Sequence, residues 1–454
     1  MNGMDRQLRD LLDAAVGEPP HRVSVEAVRR RIIRRRVLEC VAVAAAVAII
    51  AAAVPFGIGA LGRGSRPSAT GSLAAPTVYV LSGGIQDALT PVSTTTNTPG
   101  RPIPLGPYLA APQVMAMTPD GKTIYVTDGT NSVAPVSTVT NTAGKPINIG
   151  EQPDGILITP DGKTAYVLSG SGTLTPISTA TNTPGKAVNV GVNFGGGDEL
   201  AITPDGKSLY VISFPHPSQN APGPAYVLPI STTTNTPGKP IKIGLYQPQA
   251  IVMSPGGQTA YVVGLTVGGQ SEVIPIATAT NTPGHPVSIG QVATAQAITP
   301  DGKTLYLADG SDPGGVIPFA TATNTPGKLI RFSSGVFAVV VTPDGQTAYV
   351  SSSRTSRGLS GTCAGTGDVT PVSTTTNVPG HPIRVGCHAS FLAITPDGKT
   401  VWVGAVGRVI TQYQHGKLIR AFGEDTITPI SAATNTAGKP IKIDGSIFGI
   451  AVTP

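Results

Sequence analysis

The chain has 454 residues, of which 40% are hydrophobic, 12% charged and 5% aromatic, with 56 Gly and 43 Pro spread through it. Frequent Gly and Pro with Val, Ile and Thr between them exclude a helical bundle and point to short strands joined by turns. The formal net charge of +6 belongs to the N-terminus: residues 1–36 hold nine Arg against five acids, whereas residues 67–454 carry 20 basic and 19 acidic groups. A near-neutral total over that long segment argues against nucleic acid as its partner.

Residues 1–36 form a basic leader. Leu8, Leu11, Leu12 and Ala15 stand at helical spacing, but Gly17, Pro19 and Pro20 end the pattern, and the leader reads as unstructured and cytoplasmic. Residues 37–62 read as one transmembrane helix. No charged residue occurs from Cys40 to Gly62, and about 23 residues at roughly 1.5 Å each can cross a hydrocarbon core of about 30 Å. Arg29, Arg30, Arg31, Arg34, Arg35 and Arg36 stand just before it and hold that side in the cytoplasm. The cell membrane is therefore an expected partner, with everything after residue 62 outside the cell. Residues 63–76, rich in Gly, Ser, Ala and Pro, form a flexible linker.

From residue 77 onward two turns alternate. Thr-Pro-Asp-Gly starts at Thr118, Thr159, Thr203, Thr299, Thr342 and Thr395, with a variant at Ser254. Asn-(Thr/Val)-(Pro/Ala)-Gly starts at Asn97, Asn141, Asn182, Asn235, Asn281, Asn324, Asn377 and Asn435, at a spacing of 41 to 58 residues. That spacing fits the blade of a β-propeller. Each unit reads as four strands, A to D from the axis outward. Strand B carries Tyr-Val or a close variant, with Trp402 in the eighth unit as a packing substitute for Tyr. Eight B strands and eight C–D turns predict eight blades, with seven as the alternative. The first unit lacks an A strand, and Ile450–Thr453 at the end of the chain supply it, so the last strand is expected to close the ring beside residues 77–81.

Tyr125-Val126-Thr127-Asp128, Asn131-Ser132-Val133 and Thr138-Val139-Thr140-Asn141-Thr142 together resemble the YVTN-type β-propeller repeat of surface-layer and other secreted proteins. The resemblance covers residues 77–454. It implies an all-β propeller and assigns no chemistry, since members of that family mostly lack an assigned activity.

The A–B and C–D turns, which share one face, are uniform, whereas the B–C and D–A connections on the other face vary in length and chemistry. Binding residues sit on irregular loops of a rigid scaffold, so the variable face is the expected functional one. Its long B–C insertions run from Phe214 to Pro224, Ser351 to Asp368 and Gly404 to Asp425, the last patterned as an extra hairpin. Cys363 and Cys387 fall on this face and are expected to form a disulfide. Phe194, Tyr246, Phe337, Phe391 and Phe448 lie on D–A segments and would line an axial funnel suited to a peptide or glycan. Glu151, Asp154, Asp198 and Glu199 are nonrepeating acids near the axis that could hold a divalent metal through oxygen. No pattern of nucleophile and base stands out. The sequence therefore predicts a membrane-anchored, extracellular, non-catalytic binding module without a cofactor, its partner an extracellular protein or an envelope polymer. The competing reading is a metal-dependent hydrolase of the lactonase kind at the funnel.

Overall fold

The computed structural model describes residues 75–83, 87–106, 114–191, 200–213, 225–290, 293–353, 367–407, 411–414, 417–420 and 425–454. The leader, the apolar stretch and most of the linker lie outside them, and among the described residues no helix is long and apolar enough to cross a membrane. The described residues form an eight-bladed β-propeller, which excludes the seven-blade alternative.

Blade 2 shows how one unit is built. Its A strand is Met115–Met117, B is Thr123–Thr127 and C is Ser132–Ser137. D comes in two short pieces, Thr142–Ala143 and Ile147–Asn148, both paired with C. Such a broken outer strand offers little edge for another chain to pair with. In the A–B turn the Gly121 N–H donates to the Thr118 carbonyl at 2.8 Å, and the Thr118 hydroxyl donates to Asp120 Oδ1 at 2.7 Å. Gly121 closes the turn at φ 69°, a conformation glycine adopts without steric cost.

Burial explains why B strands read as continuous apolar runs. Successive side chains of a strand point to opposite faces, and here each face meets a neighbouring blade. In Thr77–Gly83, Val78 and Val80 pack in one cluster with Trp402 of blade 8, while Tyr79 and Leu81 pack in another with Ile124 and Val126 of blade 2. The core thus lies between blades, and each inner strand touches the next around a closed circle.

The circle closes as the sequence predicts. Ser446–Val452 pairs antiparallel with Thr77–Gly83, Val452 opposite Val78 and Ile450 opposite Val80. The Thr453 N–H donates to the Thr77 carbonyl at 2.9 Å, and the Thr77 N–H donates to Thr453 Oγ1 at 2.8 Å. Pro454 then lies against Gly121, as Pro119 lies against Gly162 and Pro160 against Gly206. The last residue takes its place in a series of Pro–Gly contacts linking consecutive A–B turns.

A second stitch was not foreseen. All eight turn Asn residues adopt a left-handed backbone, φ 51° to 56°, which Asn tolerates better than other residues with a side chain. Their side chains serve the preceding blade. Tyr125 Oη donates to Asn182 Oδ1 at 2.6 Å, Tyr166 to Asn235 at 2.6 Å, and Tyr79, Tyr210, Tyr306 and Tyr349 make the same bond. Two joints differ. Asn324 Oδ1 is buried without a partner where Tyr261 would reach it, and Trp402 Nε1 is buried without a partner at the joint between blades 8 and 1. A cavity of about 220 Å³ beside that second joint is lined by Thr94, Asn97, Thr400 and Pro429 among others.

Candidate functional site

The variable face is distinguished by an irregularity in the inner strands. In Pro153–Ile158, Pro153 pairs with Ser169 and Gly155 with Leu168, so Asp154 is an extra residue, a β-bulge. The same shift leaves Gln249, Thr294, Phe337, Ser390 and Phe448 as the extra residue in five other blades. Each bulge faces the end of its B strand, so it lies at the B–C and D–A end of the strand nearest the axis. Bulges of this kind re-aim side chains and recur next to functional sites.

Of the residues expected at the site, Asp154, Phe337 and Phe448 occupy bulges. Phe337 is half-buried and meets the His388 ring edge-on, centroids 6.2 Å apart at 82°. Phe448 is half-buried against the cluster that contains Leu81 and Met115. Tyr246 is exposed. Phe391 goes elsewhere: it follows the bulge at Ser390, is 2% exposed and belongs to the core between blades 7, 8 and 1. Phe194, Asp198, Glu199 and Cys363 lie outside the described residues. Cys387 sits between two strands of this face, Ile383–Gly386 and His388–Ile394.

The extra residues differ in chemistry from blade to blade, with Ser390 of blade 8 standing between the two aromatic ones. Asp154 and Gln249 in blades 3 and 5 are polar, whereas Phe337 and Phe448 in blades 7 and 1 are aromatic. Desolvation raises the Asp154 carboxyl to about 6. Gln249 Oε1 is buried without a hydrogen-bond partner. These groups bear a cost of burial that the scaffold does not relieve, a condition that clusters at functional positions.

The two described acids of the expected metal set have different surroundings. Glu151 accepts hydrogen bonds from the hydroxyls of Ser171 and of Thr173, the latter at 2.6 Å, and those bonds, Ser171 first, hold its carboxyl below the ordinary value. Asp154 instead lies against Gly170. Among the described residues no group of three or more His, Cys, Asp or Glu side chains could hold a metal ion.

Two further pairings were not legible in the sequence. Asp425, 1% exposed, accepts from the Gly407 N–H through Oδ1 and from the Ile447 N–H through Oδ2, both at 2.7 Å. It ties the base of the blade 8 insertion to the closing strand, and burial raises its carboxyl. That insertion carries the expected hairpin, Thr411–Gln414 paired with Lys417–Arg420. Ser353 Oγ lies 3.0 Å from His388 Nδ1, and burial lowers the His388 imidazole. A Ser–His contact invites a nucleophilic reading, but Ser353 is fully buried and its hydroxyl is out of reach of a substrate.

No protein-family model and no curated protein matches the sequence. Among solved structures, the chain is similar to dihydro-heme d1 dehydrogenase NirN in complex with DHE, with a TM-score of 0.63 and 14% identity over 86% of this chain and 77% of that one. It is also similar to Kuenenia stuttgartiensis hydrazine synthase, with a TM-score of 0.50 and 20% identity over 72% of this chain and 97% of that one. A eukaryotic initiation factor gives a TM-score of 0.53 at 11% identity, over 84% and 99%. At such identities these likenesses establish the propeller fold and carry no activity across.

Proposed function

We propose that the chain is a membrane-anchored, extracellular propeller of the YVTN-repeat kind that binds a component of the cell envelope through its variable face, without catalysis. The observation that carries this reading is the ring of bulges: inner strands that could be regular instead present Asp154, Gln249, Phe337 and Phe448 at one end of the axis. The opposite face is occupied by the Pro–Gly and Tyr–Asn stitches. Residues 77 and 453 meet on that stitched side, so a linker at residues 63–76 and an anchor at residues 37–62 would turn the variable face away from the membrane. A bond between Cys363 and Cys387 belongs to the same reading, pinning the blade 7 insertion to this face at a gain of about 2–4 kcal/mol.

The test is capture from solubilised envelopes by the full chain and by a variant carrying Phe337→Ala, Phe448→Ala and Asp154→Asn. The variant is expected to retain its cooperative melt and to lose at least about tenfold in recovered partner, since aromatic anchors dominate binding energy. Equal recovery by both chains would sink the reading.

A further inference from the structure

The near-neutral total of the repeat region conceals a radial separation of charge. The eight outer-strand heptads, from residues 98–104 in blade 1 to 436–442 in blade 8, contain ten of the 20 Lys and Arg residues of the region and no Asp or Glu. Each heptad has a basic residue or His after its Gly, at the break between the two pieces of strand D. Arg101 fills that place in blade 1, Lys145 in blade 2 and Lys439 in blade 8, with His285 and His381 in blades 5 and 7. Four heptads add a second cation at their last position, such as Lys242 and Arg331. All of these side chains are exposed.

Two features separate this belt from ordinary surface charge. The lysines of the A–B turns each lie beside their own aspartate, Lys122 at 3.4 Å from Asp120, Lys163 at 3.4 Å from Asp161 and Lys303 at 3.1 Å from Asp301. The belt heptads contain no acid of their own, and Arg384 reaches Asp368 of strand C at 4.0 Å. The outer strands also meet from blade to blade at several joints. Ile103–Pro104 touches Thr142–Ala143, Ile147–Asn148 touches Thr183–Pro184, and Ile383–Gly386 touches Thr436–Ala437. Lysines on exposed edge strands also deter pairing with other chains, but Arg101, Lys145 and Lys439 stand at the break between the two pieces of strand D rather than within a strand edge. A stretch of surface whose own residues carry charge of one sign raises the concentration of opposite charge along it.

We propose that the propeller's perimeter binds a linear polyanion of the cell envelope, a polymer with one phosphate or carboxylate per repeating unit, laid along the outer strands. The proposal rests on the envelope-binding reading for where the polymer is met. It does not depend on the variable face.

Binding of the full chain to poly(glycerol phosphate) and to polyglucuronate, at about 50 mM and about 500 mM salt, tests it and tells the two anion chemistries apart. We expect binding to at least one polymer at low salt and its loss at high salt. A variant carrying Arg101→Gln, Lys145→Gln, Lys186→Gln and Lys239→Gln is expected to bind roughly tenfold more weakly. One carrying Lys122→Gln, Lys163→Gln, Lys207→Gln and Lys303→Gln, with the same loss of charge, should change by less than about twofold, because those lysines are already paired. Both keep the basic leader, so full binding by the first variant would assign the polymer to the leader and overturn the proposal. Equal weakening of both variants, or equal affinity of the parent for duplex DNA, would overturn it too. A second belt variant, Lys328→Gln, Arg331→Gln, Lys439→Gln and Lys442→Gln, repeats the test on other blades should the first fail to fold. Failure of the belt with retained envelope capture would leave the variable-face reading standing.

Discussion

The two faces of the propeller differ at their recurrent positions: the turn side chains of one are paired at most joints, whereas two bulge residues of the other, Asp154 and Gln249, bear a cost of burial. On the stitched face the turn Thr, Asp, Tyr and Asn side chains hold partners in blade after blade, as in Thr118 with Asp120 and Tyr125 with Asn182. On the variable face Asp154 is half-buried with its carboxyl raised to about 6, and Gln249 Oε1 is buried without a partner. The first face is spent on holding the ring together. The second keeps groups whose burial weakens the fold, as positions reserved for a ligand do.

If that contrast is right, the stitched face loses stability when altered and the variable face gains it. The largest effect should follow removal of Ser446–Pro454, which takes away the closing strand, the Thr453 bonds and the Pro454–Gly121 contact together. Calorimetry should show loss of the single cooperative transition or a fall in Tm of about 10 °C or more. An unchanged melt would mean that the ring does not need its last strand.

Next in size, Tyr125→Phe should cost about 1–2 kcal/mol in chemical denaturation, since it leaves Asn182 Oδ1 without its donor. Tyr261→Phe should cost much less, because the Asn324 Oδ1 it would serve already lacks a partner. Equal losses would show that the tyrosines act through ring packing alone.

Asp154→Asn should act in the other direction. With its ordinary value at 3.8 in the unfolded chain and about 6 when folded, this carboxyl binds its proton more tightly in the folded state. Its contribution to stability is fully present below about pH 4, declines as pH rises to 6, and is lost above that. Asparagine carries no charge to desolvate. The variant should therefore be more stable by about 1–2 kcal/mol at pH 8, after allowance for solvent screening, and should match the parent near pH 4. Denaturant midpoints across that range decide the point, and a destabilised variant at pH 8 would end the comparison.

Much of this architecture is written in local signals. Each Pro-Asp-Gly turn carries its own conformational preference, and the missing first A strand together with the surplus last one specify the closure. The Tyr–Asn bonds are harder to see because their partners belong to different blades, 57 residues apart for Tyr125 and 86 for Tyr349. The left-handed Asn was readable as a turn residue, and only the packed ring shows that its side chain also serves the preceding blade. The bulges had a signal that went unread: Asp154, Gln249, Phe337, Ser390 and Phe448 are each the fifth residue before the Thr or Ser of the next A–B turn. Their varied chemistry at a fixed offset is the mark of positions where the fold constrains only the backbone. Phe391 was expected beside them because it is aromatic and lies on the same segment, but a shift of one residue sends it to the other side of the strand and into the core. Ser353 and His388 meet only because two blades are adjacent.

Trp402 is the chain's one tryptophan, and it sits fully buried at the joint where the two ends of the ring come together. Its indole therefore stands where a fluorescence signal is local to one event. Emission from this chain reports whether the circle is shut, with no other indole to blur the reading, so a partner that strains or relaxes the joint would announce itself optically without any label.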